Sequence, residues 1–204
     1  PELSRDCPLP LTGIAGMDAL TQLLESYVSR KATPVTRALS REAFPVMLQA
    51  LKSLPARPDN LEAREAAAYG ALVSGITLAN GGLGAAHGFA SGLGGMYEVP
   101  HGLICALFLR PVLRFNAPSI REDCALLASS VQGQGTSDQD PVAWLLGEID
   151  GLIRLYGLPE NLKSFGILKA DIPEIARRSS GSSMSGNPRD LLQAERERML
   201  EQLL

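Results

Sequence analysis

Apolar residues recur at three- and four-residue steps through most of the chain, the spacing of one face of an α-helix. Met17, Leu20, Leu23, Leu24, Tyr27 and Val28 form one such stripe, and Asp18 and Gln22, four apart, share a face beside it. The pattern returns over residues 35–54 through Ala38, Leu39, Val46, Met47, Ala50 and Leu51, where Pro45 predicts a kink or two abutting helices. Asp59 or Asn60 is placed to cap a third helix running through Leu78, with Glu62 and Glu65 near its positive end. A short helix is expected over residues 84–93. Pro100 suits the first position of the next helix, which Pro111 should bend or end near Phe115. Residues 138–141 read as another helix start, leading through Trp144, Leu145, Ile149, Leu152 and Ile153 to Tyr156-Gly157. Residues 170–174 open a further helix, and Asp190-Leu-Leu-Gln193 looks like a capping box before a terminal one. Residues 132–139 and 178–188, the second with five serines and two glycines, read as loops. No Val/Ile-rich alternation reaches strand length and no segment repeats, so the expected fold is an all-α helical bundle.

Composition narrows the class of protein. A chain of 204 residues with 45% hydrophobic content can build an ordinary core. Its net charge of −3 and lack of a Lys/Arg-rich run disfavour nucleic acid. The longest apolar run without glycine, Leu103-Ile-Cys-Ala-Leu-Phe-Leu109, is far below the roughly 20 residues of a membrane span. Cys7, Cys105 and Cys124 are widely spaced with no Cys-x-x-Cys pair, which fits a reduced, cytoplasmic compartment, with Cys105 read as a small core residue. Residues 1–8 are polar and turn-like, unlike a signal peptide, and the start at Pro1 suggests a piece excised from a longer protein. Trp144 is expected as a core anchor, and Glu25 and Tyr27 as packing or polar contacts, with support of a ligand side chain as the lesser alternative. Arg64, Arg110 and Arg114 are expected to be solvated or salt-bridged, and Arg196-Glu-Arg198 to form an exposed helix face.

The candidate chemistry centres on His87 and His101, the two histidines of the chain, fourteen positions apart in a run of small residues. That run reads Asn80-Gly-Gly-Leu-Gly-Ala-Ala-His87-Gly-Phe-Ala-Ser91-Gly-Leu-Gly-Gly-Met-Tyr97-Glu-Val-Pro100-His101-Gly102. Two imidazoles among residues that leave space suit a metal pocket; two separate core or helix-end histidines are the plainer alternative. Gly82-Leu-Gly84-Ala-Ala-His87 is a near miss to the dinucleotide turn Gly-x-Gly-x-x-Gly. The third glycine is a histidine, the preceding segment is helical in pattern, and Glu98 is too close to be the ribose-binding acid. The glycines are better explained by close helix packing around a bound group.

Three separated motifs occur in order: Gly16-Met17-Asp18-Ala19-Leu20-Thr21-Gln22, the His87…Pro100-His101-Gly102 run, and Met184-Ser-Gly186-Asn187-Pro188. Together they resemble the iron-containing (group III) alcohol dehydrogenases, specifically their C-terminal metal-binding domain, of dehydroquinate synthase-like helical fold. The resemblance implies that residues 1–204 are the metal-binding, catalytic domain, without the N-terminal nucleotide-binding domain. It implies Asp18, His87 and His101 as metal ligands, a set suited to Fe(II) or Zn(II) with an open position for substrate. The family histidine four residues after the aspartate is Gln22 here, a weaker donor at best. The family histidine four residues after the first motif histidine is Ser91, which then becomes a position for proton relay. The implied activity is hydride exchange between a small alcohol or aldehyde and NAD(P) bound by the other domain, so this chain alone is expected to be inactive. A metal-free helical scaffold or oligomerisation domain, and a maleylacetate reductase-like enzyme, stay open as alternatives, as does a homo-oligomer.

Overall fold

A computed structural model describes residues 1–132 and 140–204. Its helices run α1 (Leu9–Val28), α2 (Pro34–Ser53), α3 (Leu61–Gly81), α4 (Ala85–Gly94), α5 (His101–Gln132), α6 (Pro141–Leu155), α7 (Ile172–Arg178) and α8 (Gln193–Glu201), and no strand occurs among the described residues. α1 is the hub, packed on α2, α3 and α5, while α4 and α6 lie against α5 and α7 joins α4 to α8. Residues on every side of α1 are buried, Met17, Leu20, Leu23, Leu24 and Tyr27 among them. The Phe89 and Phe108 rings stack with centroids 4.1 Å apart, locking α4 onto α5 in the same core. Trp144 is buried on α6.

The prolines inside α2 and α5 do not split or end either helix. α2 is a single helix that contains Pro45, started by the Thr33 hydroxyl accepting from Thr36 N at 3.2 Å and by Pro34. α5 does not end near Phe115 but continues past Pro111 and Pro118 to Gln132. An interior proline costs about 3 kcal/mol. Burying each large aliphatic side chain returns about 1.5–3 kcal/mol, and Val112, Leu113, Ile120 and Leu127 all lie in the core. The continuing apolar stripe therefore outweighs the lost backbone bonds. α5 is apolar enough to match a membrane span in composition, but two thirds of its most apolar window is inside the fold, as in a core helix.

Local chemistry explains the remaining boundaries. Asn60, not Asp59, caps α3 by accepting from Ala63 N at 3.2 Å. Asp140 caps α6 through Val142 N and Ala143 N; Asp138 and most of the loop expected over 132–139 lie outside the described residues. The expected Asp190–Gln193 box does not form: α8 starts at Gln193, where Leu192 N donates to Glu195 Oε2 at 2.7 Å, while Asp190 pairs with Arg30. The serine-rich segment is partly ordered by a 3-10 turn, Ser183–Gly186, which packs on α4, and by buried Asn187. Arg64 is buried rather than solvated, donating to Pro58 O, Thr12 Oγ1 and Cys7 O, and Arg110 pairs with Asp150 at 3.2 Å. Arg196 is likewise drawn in, tying α8 to the Ala176 carbonyl of α7, whereas Arg198 stays exposed.

Candidate metal centre

Three helices bring the two histidines to one face of α1. Asp18, Gln22 and Glu25, at helical spacings of four and three, point toward the starts of α4 and α5. α3 ends at Gly81, Gly82 turns the chain at φ 71°, and α4 begins at Ala85, so His87 sits in the first turn of α4. His101 opens α5. Gly102 beside it has a structural reason: a Cβ there would collide with the Ile14 carbonyl and press on Asp18 Cβ, so only glycine lets α5 approach α1 this closely.

The result is a cluster of donors. His87 Nε2 and His101 Nε2 lie 3.5 and 3.6 Å from Asp18 Oδ1, and the two imidazole centroids are 5.6 Å apart. Cys105, one turn beyond His101, completes a group whose ligand atoms all lie within 4.8 Å of one another. Asp18 Oδ1 and His87 Nε2 are buried yet have no hydrogen-bond partner. Buried polar atoms are rarely left so, because each costs about 1–3 kcal/mol. For bonds of about 2.0–2.3 Å, tetrahedral ligands stand roughly 3.3–3.8 Å apart. The Asp18–histidine separations already have that size, so the residues fit a small divalent cation. His101 is 53% exposed, leaving one side of the centre open.

Glu25 organises the centre from behind. It is 3% exposed. Its Oε1 accepts from Ala86 N at 2.7 Å; its Oε2 accepts from Gly84 N at 3.0 Å and contacts His87 Nδ1 at 2.7 Å. A carboxylate at the positive end of α4 is favoured by the helix dipole. As an acceptor it fixes the proton on Nδ1, which turns the Nε2 lone pair of the neutral ring toward Asp18. A side chain at Gly84 would stand 2.7 Å from Glu25 Oε1, so this position too needs glycine. Asp18 is oriented in turn: Gln22 Nε2 donates to its Oδ2 at 2.9 Å, and Gln22 Oε1 faces the Ser74 hydroxyl at 2.7 Å. The opposite amide orientation would set two oxygens 2.9 Å apart.

Charges respond to this crowding. Burial disfavours a charged His87, but the acceptors around it, Asp18, Cys105 and Glu25, outweigh burial and push the imidazole up to about 12. Burial would raise Asp18; His87, Cys105 and His101 overcome it and hold the carboxyl below its usual range. Burial dominates at Cys105 and pushes its thiol up to about 12.

Asp18, His87 and His101 are therefore brought together, and Gln22 lies beside them with its nitrogen, not its oxygen, toward Asp18. Ser91, one turn after His87, is exposed. The sequence placed Cys105 in the core and offered Glu25 a packing or polar role first, with support of a metal ligand as the lesser alternative. Their signals were faint: a four-residue step from His101 and a seven-residue step from Asp18.

Such a helical fold around an Asp-His-His centre defines a class, and comparison gives the family. The profile of the Fe-containing alcohol dehydrogenase family, C-terminal, matches residues 12–204, and the chain belongs to that family. It is 37% identical over 186 residues to 1,3-propanediol dehydrogenase of Citrobacter freundii, covering 89% of this chain and 48% of that protein. It is 33% identical to lactaldehyde reductase of Escherichia coli K12, over 90% of this chain and 48% of that one. In three dimensions it matches a crystal structure of 1,3-propanediol oxidoreductase with a TM-score of 0.90 and 33% identity, covering 98% of this chain and 53% of the other. The chain spans about half the length of the curated relatives it matches.

Proposed function

We propose that Asp18, His87 and His101 hold a divalent ion, Fe(II) or Zn(II), and that this chain is the metal- and substrate-binding half of an NAD(P)-dependent alcohol dehydrogenase. The observation that carries the reading is the pair of buried, unpartnered donors, Asp18 Oδ1 and His87 Nε2, 3.5 Å apart with His101 beside them. An ion there supplies Lewis-acid polarisation of an alcohol or aldehyde oxygen. The chain's residues do the rest: Glu25 holds the His87 tautomer, Gln22 aims Asp18, and buried α1 and α4 keep water from the inner side. The substrate class follows relatives whose names specify 1,3-propanediol and lactaldehyde. The described residues have no strand, hence no strand–turn–helix cradle for a dinucleotide. NAD(P) is accordingly assigned to chain outside residues 1–204, and these residues alone should not oxidise alcohols. Three free thiols fit a reducing cytoplasm.

The test is metal analysis after reconstitution of the chelated protein with Fe(II) or Zn(II). One equivalent should be retained, and His87→Ala should lose it with unchanged helical circular dichroism. Retention of no ion above trace by the unaltered protein would favour a metal-free helical scaffold instead.

A further inference from the structure

Three protein donors leave a fourth tetrahedral corner, and the geometry shows what stands near it. Gln22 presents nitrogen to Asp18 and spends its oxygen on Ser74. Cys105 is fully buried, and its sulfur belongs to the group of donors within 4.8 Å of one another. His87, only 3% exposed, aims an unpartnered Nε2 into the same space. The step from His101 to Cys105 is four residues, one turn of α5, so both side chains reach the same side of that helix.

We propose that Cys105 is the fourth protein ligand of this centre, coordinating through a thiolate and giving a set of one sulfur, two nitrogens and one oxygen; a substrate oxygen would then add as a fifth ligand from the exposed His101 side. The proposal rests on the three-residue metal centre above. A sulfur–metal bond is about 2.3 Å against about 2.0–2.1 Å for imidazole, so the widest separation in the cluster needs about 1 Å of adjustment. Rotation about the Cys105 Cα–Cβ bond and tilting of the exposed His101 ring can supply it. A cation in contact with a thiol deprotonates it, and the thiolate and Asp18 together then match the two positive charges of the ion. This donor set favours a thiophilic, tetrahedral ion such as Zn(II) over hard ions such as Mg(II) or Mn(II).

Cobalt(II) separates the two readings, because ligand-field bands in the visible report any tetrahedral site, whereas a sulfur-to-cobalt charge-transfer band in the near ultraviolet reports a thiolate. The chelated 204-residue protein titrated with Co(II) should show both, saturating at one equivalent. Cys105→Ser should keep the ligand-field bands, lose the charge-transfer band and bind Zn(II) at least about 10-fold more weakly, the lower end of what losing even an outer partner costs. Should that variant not fold, the double variant Cys7→Ser/Cys124→Ser, whose one thiol is Cys105, must still show the charge-transfer band. Ligand-field bands without charge transfer in the unaltered protein, or charge transfer that survives Cys105→Ser or vanishes in the folded double variant, overturn Cys105 and leave the three-residue centre standing. Absence of any cobalt binding by a protein with intact helical circular dichroism overturns the three-residue centre and this proposal with it.

Discussion

Glu25 shows how much one side chain can carry. It is acceptor for two backbone amides, partner of His87 and a charge at the start of α4, all without solvent. Glu25→Gln keeps the size but leaves one oxygen where three donors need two, and its NH2 group faces N–H. About 1–3 kcal/mol of stability should go with the unsatisfied donors, and metal affinity should fall by about 10–100-fold as His87 loses its orientation. Urea unfolding and Zn(II) competition titrations measure the two effects; an unchanged affinity would mean that Glu25 merely caps α4. At this scale the sequence was legible where a residue type is rare. Two histidines among small residues led to the centre, and the Gly-Met-Asp-Ala motif led to Asp18. Glu25 and Cys105 were not legible, because a carboxylate or thiol beside a core-facing stripe declares nothing until the neighbouring helix is in place.

Helix existence was written in the apolar periodicity, and helix ends in the caps, as Asn60 and Asp140 illustrate. What local rules missed were opposing terms from elsewhere in the fold. Pro111 was expected to bend or end α5, and it does not end it, because the core residues beyond it hold the helix together. Asp190 was expected to cap α8, yet Arg30 takes it. The Asp140 cap has a pH signature. The Ala143 amide, then the Val142 amide and the Arg121 guanidinium, outweigh desolvation and hold the carboxyl below its ordinary value of 3.8. A depressed carboxylate stabilises the fold above its unfolded value and loses that contribution as pH falls through the folded one. Asparagine caps as well as aspartate but lacks the charge. The melting temperature of Asp140→Asn should thus lie below that of the unaltered protein at pH 7, and the two should converge in acid. A gap that stays undiminished as pH falls well below 3.8 would contradict the electrostatic part of this account.

Across the whole molecule, the all-helical class was readable from the absence of strand-like alternation, and membership of the family from three short motifs. The arrangement that makes α1 the hub was not, since every amphipathic stripe can find several partners. If the centre holds an ion only in the folded state, metal must stabilise the entire bundle. A free ion concentration of 100 times the dissociation constant adds about 2.7 kcal/mol. For a chain of this size that corresponds to a rise of about 5–11 °C in melting temperature. Thermal scans with Zn(II) and with chelator should differ by that amount, and His87→Ala should abolish the difference.

Because α1 is gripped by α2, α3 and α5, it acts as a spindle carrying Asp18, Gln22 and Glu25 together. A turn of this helix by one residue's worth, about 100°, would carry all three off the face they share. Affinity for the ion thus becomes a gauge of distant packing. Leu51 of α2 presses on Gly16 of α1, two residues before the motif aspartate. Trimming it by Leu51→Ala opens a void of the kind that costs about 2–5 kcal/mol and gives the spindle play. The loosened centre should release Zn(II) more readily while circular dichroism still reports a full complement of helix, so that the ion registers slack in the core before the backbone does.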